Sequence, residues 1–457
     1  MVDKKIRKQL EKKLGEGKVF GQREYLITYS YDATGKESLP ELVVLPDCEE
    51  DIRDVLRVAR EHKIPITPRG AGVGYSGGSV PVHGGIVMGF TRMNRILSID
   101  TENFYAEVEP GVVTYRLQQE VEKKGLFYPP DPASLKTSTI GGNVAENAGG
   151  LRCFKYGVTG NYVLGLEAFL IDGRKIKAGS PVIKDVAGYN VKSLLVGSEG
   201  TLAVISKIIL RLIPLPQYRR LFRLDFDSLG KGAEFINHMI KINIAPAILE
   251  FMDESSIKAV YDYLKLPKPG NLKASVLVEI DGNKRDVEER AEQMFRLVKE
   301  RQVPDYKAAE TDAEIEELWS IRRNISPALE RFKPDKINED IVVPIGKIPE
   351  TVTFINNLSG EYRIQIALFG HFGDGNIHTN IMVDPEDLDE MKRAEMALDK
   401  IFRHVISVKG SITGEHGVGL SKKPFMKYQF TDTEMEVFKN IKRAFDPENL
   451  LNPGKIF

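Results

Sequence analysis

The stretch PRGAGVGYSGG, residues 68–78, puts five glycines (Gly70, Gly72, Gly74, Gly77 and Gly78) into nine consecutive positions. At that density successive backbone N–H groups can turn inward and approach a diphosphate closely. The residues that follow narrow the choice of fold. A doubly wound dinucleotide fingerprint needs a helix opening directly after the loop, with an acidic residue about 20 positions on. Here SVPVHGGIVMGF reads as strand and turn, and no Gly-Lys-Ser/Thr closes the loop as a P-loop would require. Taken alone, the loop suits a pyrophosphate or a glycine-rich turn between strands.

Two further stretches favour the pyrophosphate. PPDPASLKTSTIGGNVAENAGGLRCFKYG, residues 129–157, carries Asp131, Pro132, Gly141, Gly142, Asn143, Gly149 and Gly150. Its small residues Ser138, Thr139, Ala145 and Ala148 leave room for a large planar ligand. The third stretch, GSEGTLAVISKIIL, follows VKSLLV, which reads as strand-like. Ahead of the first loop, DCEEDIRDVLRVAREHKI is a predicted helix between the strand candidates ELVVLP and IPITPRG, a strand–helix–strand unit that ends in the glycines.

A chain of 457 residues holds two or three domains, and LIPLPQYR (212–219) marks a boundary with its two prolines. Beyond it the order strand, helix, strand, strand, helix occurs twice, the second time as INEDIVVP, IPETVTFINNLS, RIQIALFG, NIHTNIMVD and a helix from 386 that Gly410 caps. That order predicts an α+β fold with two ferredoxin-like split βαβ halves and an antiparallel sheet exposed on one face. Lys+Arg 64 against Asp+Glu 65 argues against a nucleic-acid partner, which needs a basic surplus. Cys48 and Cys153 are too few for a disulfide framework or an iron–sulfur cluster, and suit a reducing, cytoplasmic setting. No apolar run reaches the ~20 residues of a spanning helix. The basic N-terminus reads as a solvated amphipathic helix, with an anionic membrane surface as its alternative.

GHFGDGNIHTN, residues 370–380, sets His371 and His378 on either side of a Gly-Asp-Gly turn, where a hairpin would turn both imidazoles to one side. SITGEHGVG (411–419) adds Glu415 and His416. Two histidines and a carboxylate suit zinc, manganese or ferrous iron with positions left open, whereas one lone histidine would more often be a hydrogen-bonded residue beside a turn. Arginine's planar fork pairs bidentately with a carboxylate, and ELWSIRRNISPALERFKPDKINEDIVVP offers candidates. Trp319, three residues before Arg322, is placed to pack behind it.

In the order PRGAGVGYSGG, TIGGNVAENAGG, GSEGTLAVIS, GHFGDGNIH, GEHGVG, the sequence resembles the FAD-dependent D-2-hydroxyacid dehydrogenases (D-lactate dehydrogenases, the flavin subunit of glycolate oxidase, D-2-hydroxyglutarate dehydrogenase) of the vanillyl-alcohol oxidase/PCMH superfamily. The resemblance runs from about residue 38 to the C-terminal FDPENLLNPGKIF. It implies a PCMH-type FAD-binding domain over 38–216 and an antiparallel-sheet substrate (cap) domain with the metal site over 217–420. An N-terminal helical segment over 1–37 and a C-terminal one over 421–457, packing back on the FAD domain, flank them. FAD contacts are implied at Arg69, Gly70, Ala71, Gly72, Val73, Gly74, Gly77 and Gly78. The second loop would add Asp131, Pro132, Thr139, Gly142, Asn143, Ala145, Gly149, Gly150 and Gly157, and the third Glu199, Gly200 and Ile205. No histidine lies in the first loop, so non-covalent FAD is expected. Ala203 stands where the family usually has glycine.

His371, His378 and Glu415 would bind the divalent metal (Zn, Mn or Fe), with His416 the base, Arg322 on the substrate carboxylate, Asn376 near flavin or substrate, and Ser326 and Lys336 weaker candidates. The implied reaction is oxidation of a D-2-hydroxy acid, D-lactate or glycolate favoured, with electrons leaving to an external acceptor: electron-transfer flavoprotein, a quinone or an iron–sulfur partner subunit. A homo-oligomer or complex subunit is expected, cytoplasmic or peripheral at the inner membrane. Rival readings are an oxygen-using flavin oxidase of alcohols or aldehydes, and a non-catalytic electron-transfer flavoprotein subunit.

Overall fold

Helix Glu49–Glu61 buries Ile52, Val55, Leu56 and Ala59 along one side and carries Glu49, Glu50 and Asp51 in its first turn, where the helix dipole favours acids. In this computed structural model, which describes residues 2–267 and 270–457, the helix connects strands Leu42–Val44 and Ile66–Arg69. Both pair in parallel with Ile86–Gly89, which lies between them. The glycine loop leaves the end of Ile66–Arg69, and no helix follows it. Helix Lys4–Leu14, N-capped by Asp3, adds Ile6, Leu10 and Leu14 to the same core.

The chain divides into two compact units. The first comprises Met1–Gly150, Val158–Leu215 and Glu415–Phe457; the second comprises Leu151–Gly157 and Pro216–Gly414. Beside the small sheet, the first unit holds a five-stranded antiparallel sheet in the order Ile96–Asp100, Tyr105–Val108, Val204–Arg211, Val163–Phe169, Lys175–Gly179. Its C-terminal run is tied in by Asn452, whose side-chain amide donates to the carbonyls of Gly78 at 2.8 Å and Glu199 at 2.7 Å. VKSLLV is not a strand: Val191–Leu195 is a short helix, because the Asn190 side chain accepts from the backbone of Ser193 and caps it.

The second unit is built on a seven-stranded antiparallel sheet, ordered Asp305–Ala309, Tyr218–Phe226, Ala274–Gly282, Ile248–Asp253, Gln365–His371, Asn376–Val383, Asp335–Val342. On one face Phe222 meets Phe295 of helix Lys284–Glu300, and Phe226 meets Phe235 of helix Leu229–Lys241. The opposite face was expected to be exposed. Instead helices Glu254–Leu264, Asp312–Arg323 and Ile325–Leu329 pack on it through Ile257, Val260, Leu318, Trp319 and Leu329, against Leu221, Leu277, Met252 and Phe369. The first of these helices was absent from the sequence reading, and its buried side is what closes that face. Gly410 was expected as the helix cap, but Lys409 takes the left-handed φ of 65°. Gly410 is needed because a Cβ there would overlap the carbonyl oxygen of Val342.

Candidate functional site: a glycine cradle and a histidine–carboxylate ring

Within the first unit the three glycine loops surround one cavity of about 1280 Å³ including its open mouth. Arg69 through Gly74 and Gly78 line it from the first loop. Pro132, Thr139, Gly142, Asn143, Ala145 and Gly149 line it from the second, and Glu199, Gly200 and Ile205 from the third. The second loop contains a short helix, Ile140–Glu146, whose N-cap Thr139 accepts from the backbone of Gly142. Among the expected contacts, Gly77, Asp131, Gly150 and Gly157 do not line the cavity. Gly77 turns with φ 79° against Leu420, Asp131 is buried beneath Gly150, and Gly157 ends a short helix in the second unit. The walls also include Asp32, Ser76, Glu146 and Ala203, which the motif reading did not name as contacts.

The cavity passes a physical test for FAD. A Cβ added at Gly74 would meet no atom within 4 Å, so that glycine keeps space open, whereas one at Gly70 would overlap the Thr139 hydroxyl. Backbone and small side chains make up most of the lining, which suits a flat ring system and a diphosphate. His83, the nearest histidine after the loop, lies against Gly454 and away from the lining, so among the described residues the one imidazole in the cavity wall is His416.

Glu415 and His416 line this same cavity, and His416 Nε2 stands 4.0 Å from a Glu415 carboxylate oxygen. The His416 ring lies 5.2 Å from that of Tyr75 in the first loop. Beneath this segment Glu199 is buried at φ +52°, accepting the backbone N–H groups of Val418 and Gly419, each at 2.8 Å. Burial pushes the Glu199 carboxyl up to about 7, against the pull of those two N–H groups and of Lys455 and Lys422.

In the second unit five side chains close a ring on one sheet face. Antiparallel pairing sets Glu250 directly across from His371, and Phe369 across from His378. His371 and His378 stand edge to face with centroids 5.2 Å apart. The His378 ring lies 5.4 Å from that of Phe369, and the Arg322 guanidinium sits 4.5 Å over Phe369. Glu250 completes the circuit: one oxygen accepts from Arg322 Nε at 2.6 Å and the other meets His371 Nδ1. Glu250 is fully buried. Burial works to raise its carboxyl, but the hydrogen bond from His371 and the charge and hydrogen bond of Arg322 hold it below the ordinary glutamate value. The turn between the histidines requires Gly375, at φ 86°, where a Cβ would overlap the carbonyl oxygen of Val343.

Lys336 Nζ donates to the Ser326 hydroxyl at 2.6 Å and also contacts Glu330, so the two weaker candidates bond to each other. The ring beneath Arg322 is Phe369, while Trp319 donates its indole N–H to Glu279 at 3.0 Å. Asn376 is buried, and its Oδ1 has no hydrogen-bond partner among the described residues; the same holds for Asn380 and Asn338, which face each other across two strands. Asn380 was missed by the motif reading, although a strand's two-residue period puts it on the His378 face. Glu250 was missed too; its signal was a carboxylate in the middle of the apolar run PAILEFM. For a divalent metal the second unit supplies two adjacent imidazoles, one of which directs Nδ1 to a carboxylate and so leaves Nε2 as its lone-pair nitrogen. Glu415 belongs to the first unit, and its assignment as a ligand rests on the sequence.

These features define a flavin-binding oxidoreductase. Residues 40–179 match the FAD binding domain and residues 215–456 the C-terminal domain of FAD linked oxidases, so the chain belongs to the FAD-linked oxidases. It is 42% identical to glycolate oxidase subunit GlcD of Bacillus subtilis over 100% of this chain and 97% of that one. It is 35% identical to D-lactate dehydrogenase of Anaerostipes hadrus (91% and 89%) and 33% identical to D-2-hydroxyglutarate dehydrogenase of Stutzerimonas stutzeri (100% and 100%). It therefore falls in the group of FAD-linked oxidoreductases that contains these enzymes. In fold it is similar to p-cresol methylhydroxylase, with a TM-score of 0.80 at 16% identity over 99% of this chain and 96% of that one. It is also similar to alkyldihydroxyacetonephosphate synthase, with a TM-score of 0.80 at 17% identity over 100% and 86%.

Proposed function

We propose that the chain oxidises a small D-2-hydroxy acid, D-lactate or glycolate, to the 2-oxo acid. The observation that carries this reading is His416 in the wall of the glycine-lined cavity, an imidazole beside the space that fits FAD. The glycine loops would hold non-covalent FAD, which would supply the hydride acceptor, and His371 and His378 would hold a divalent metal, which would supply Lewis acidity at the hydroxyl. In this reading His416 takes the hydroxyl proton as the general base. Arg322 pairs with the substrate carboxylate, and its Nε bond to Glu250 leaves the two terminal nitrogens to form the fork. Asn376 contributes its amide to the flavin or the substrate, and Lys336 with Ser326 supports the anion side. His371 and His378 hold the metal, and Glu415 enters as third ligand from the sequence.

Electrons leave to an external acceptor, which two cysteines cannot supply as an iron–sulfur centre. The relatives named as a subunit of glycolate oxidase support a role as one subunit of a complex. No helix among the described residues is long and apolar enough to cross a membrane, and Cys48 and Cys153, neither of them in a disulfide, suit a reducing, cytoplasmic setting.

The deciding experiment mixes purified flavoprotein anaerobically with a panel of D- and L-hydroxy acids and follows flavin bleaching. Reduction by D-lactate or glycolate, abolished by chelation and by His416→Ala with FAD still bound, is the expected outcome. Reduction by simple alcohols with peroxide release, or by no hydroxy acid at all, overturns the proposal.

A further inference from the structure

We infer that Glu250 is a positioning residue that sets both halves of the second unit's ring at once: which nitrogen His371 offers to a metal, and which edge Arg322 offers to a carboxylate. The inference rests on the proposed roles of those two residues and goes beyond them.

A carboxylate ion only accepts hydrogen bonds, so contact with Glu250 fixes the proton of His371 on Nδ1 and leaves Nε2 as the coordinating atom. The second oxygen takes Arg322 Nε at 2.6 Å. That bond uses the guanidinium's side edge, so only the end-on edge of its two terminal nitrogens remains for a ligand carboxylate. Phe369 fixes the plane of the fork from below, with the guanidinium 4.5 Å over its ring. Glu250 cannot be a substrate-facing acid, because it has no accessible surface. Nor is a buried carboxylate a cheap way to fill a strand. An apolar side chain would satisfy the core at less desolvation cost, so the anion is retained for what it binds.

Glutamine at 250 keeps the size but offers one oxygen and an NH₂; with the oxygen on Arg322 Nε, the NH₂ meets His371 Nδ1, so His371 must either turn away or accept there and carry its proton on Nε2, where it blocks a metal. Glu250→Gln is therefore expected to weaken metal binding by about 10- to 100-fold, the usual effect of losing a carboxylate behind a ligating histidine. It should also raise KM for the hydroxy acid about tenfold or more while FAD content stays unchanged. The readout is titration of chelator-treated full-length flavoprotein with Zn²⁺ or Mn²⁺, with His378→Ala as benchmark. If His378→Ala binds metal like the parent, the metal reading itself fails. If His378→Ala loses the metal and Glu250→Gln retains parental affinity and KM, the role of Glu250 is overturned. Should Glu250→Gln fail to fold, ¹⁵N-histidine labelling of the metal-loaded parent decides: a protonated Nδ1 with metal on Nε2 of His371 is expected, and the reverse assignment refutes it.

Discussion

The Glu199 carboxylate accepts the backbone N–H of Gly419, 220 residues further along the chain, at 2.8 Å. Its other oxygen takes Val418, and Leu420 donates its N–H to the carbonyl of Ser76 in the first glycine loop at 2.7 Å. The segment that carries His416 is thus fastened to two of the three glycine loops by its backbone, which lets the side chains of Glu415 and His416 line the cavity. Glu199→Ala strands the buried Gly419 N–H, at a cost of about 1–3 kcal/mol, and the part-buried Val418 N–H beside it. Hydrogen exchange of residues 416–420, followed by mass spectrometry, should accelerate by about tenfold or more, with Glu199→Gln intermediate because it keeps one acceptor. Unchanged exchange in the alanine variant would show that the segment is held by other means.

A cofactor pocket and a structural turn can be told apart by what a methyl group does there. At Gly74 an added Cβ meets nothing within 4 Å, so Gly74→Ala should leave apoprotein stability within about 0.5 kcal/mol of the parent. If the loop is the proposed FAD cradle, the same methyl takes space from the diphosphate, and FAD retention through gel filtration should fall about tenfold or more. Loss of stability without loss of flavin would mean that the loop is a turn rather than a cradle.

Gly375 makes the opposite case. Its φ of 86° and the carbonyl of Val343 forbid a side chain, so Gly375→Ala should destabilise the second unit by about 2–4 kcal/mol. Because the turn sets the spacing of His371 and His378, metal content should drop even in the fraction that folds. Urea unfolding together with elemental analysis of the folded peak checks both.

These cases mark how much the amino-acid order disclosed. The glycine loops and the His371–His378 turn are local: their residues are neighbours in the chain and their spacing carries the geometry. The strand–helix–strand start and most of the second sheet followed from period and punctuation in the same way. What escaped was long-range or cap-dependent. Glu250 meets His371 across 121 residues and Arg322 across 72, and nothing in PAILEFMD names those partners. VKSLLV is apolar enough for a strand until the Asn190 cap turns it into a helix. Gly410 looked like a cap because glycine is common there, whereas the close approach of Val342 is what excludes a larger residue.

Asp253 gives a pH signature independent of the flavin. It caps helix Glu254–Leu264 by accepting the Ser256 N–H at 2.8 Å, and burial pushes its carboxyl up to about 6 from an ordinary value of 3.8. Since the folded state holds this proton more tightly than the unfolded chain, the stabilisation is complete below the unfolded value and fades as pH rises through 6. Two-state linkage with these values gives a loss of about 1.4 kcal/mol between about pH 5 and about pH 7.5. Asparagine keeps the capping oxygen and has no proton to lose, so Asp253→Asn should be flatter than the parent by that amount over the same interval. Urea midpoints of the full-length protein and the variant at the two pH values measure the difference. Parallel pH dependences would mean that Asp253 titrates with its ordinary carboxylate value.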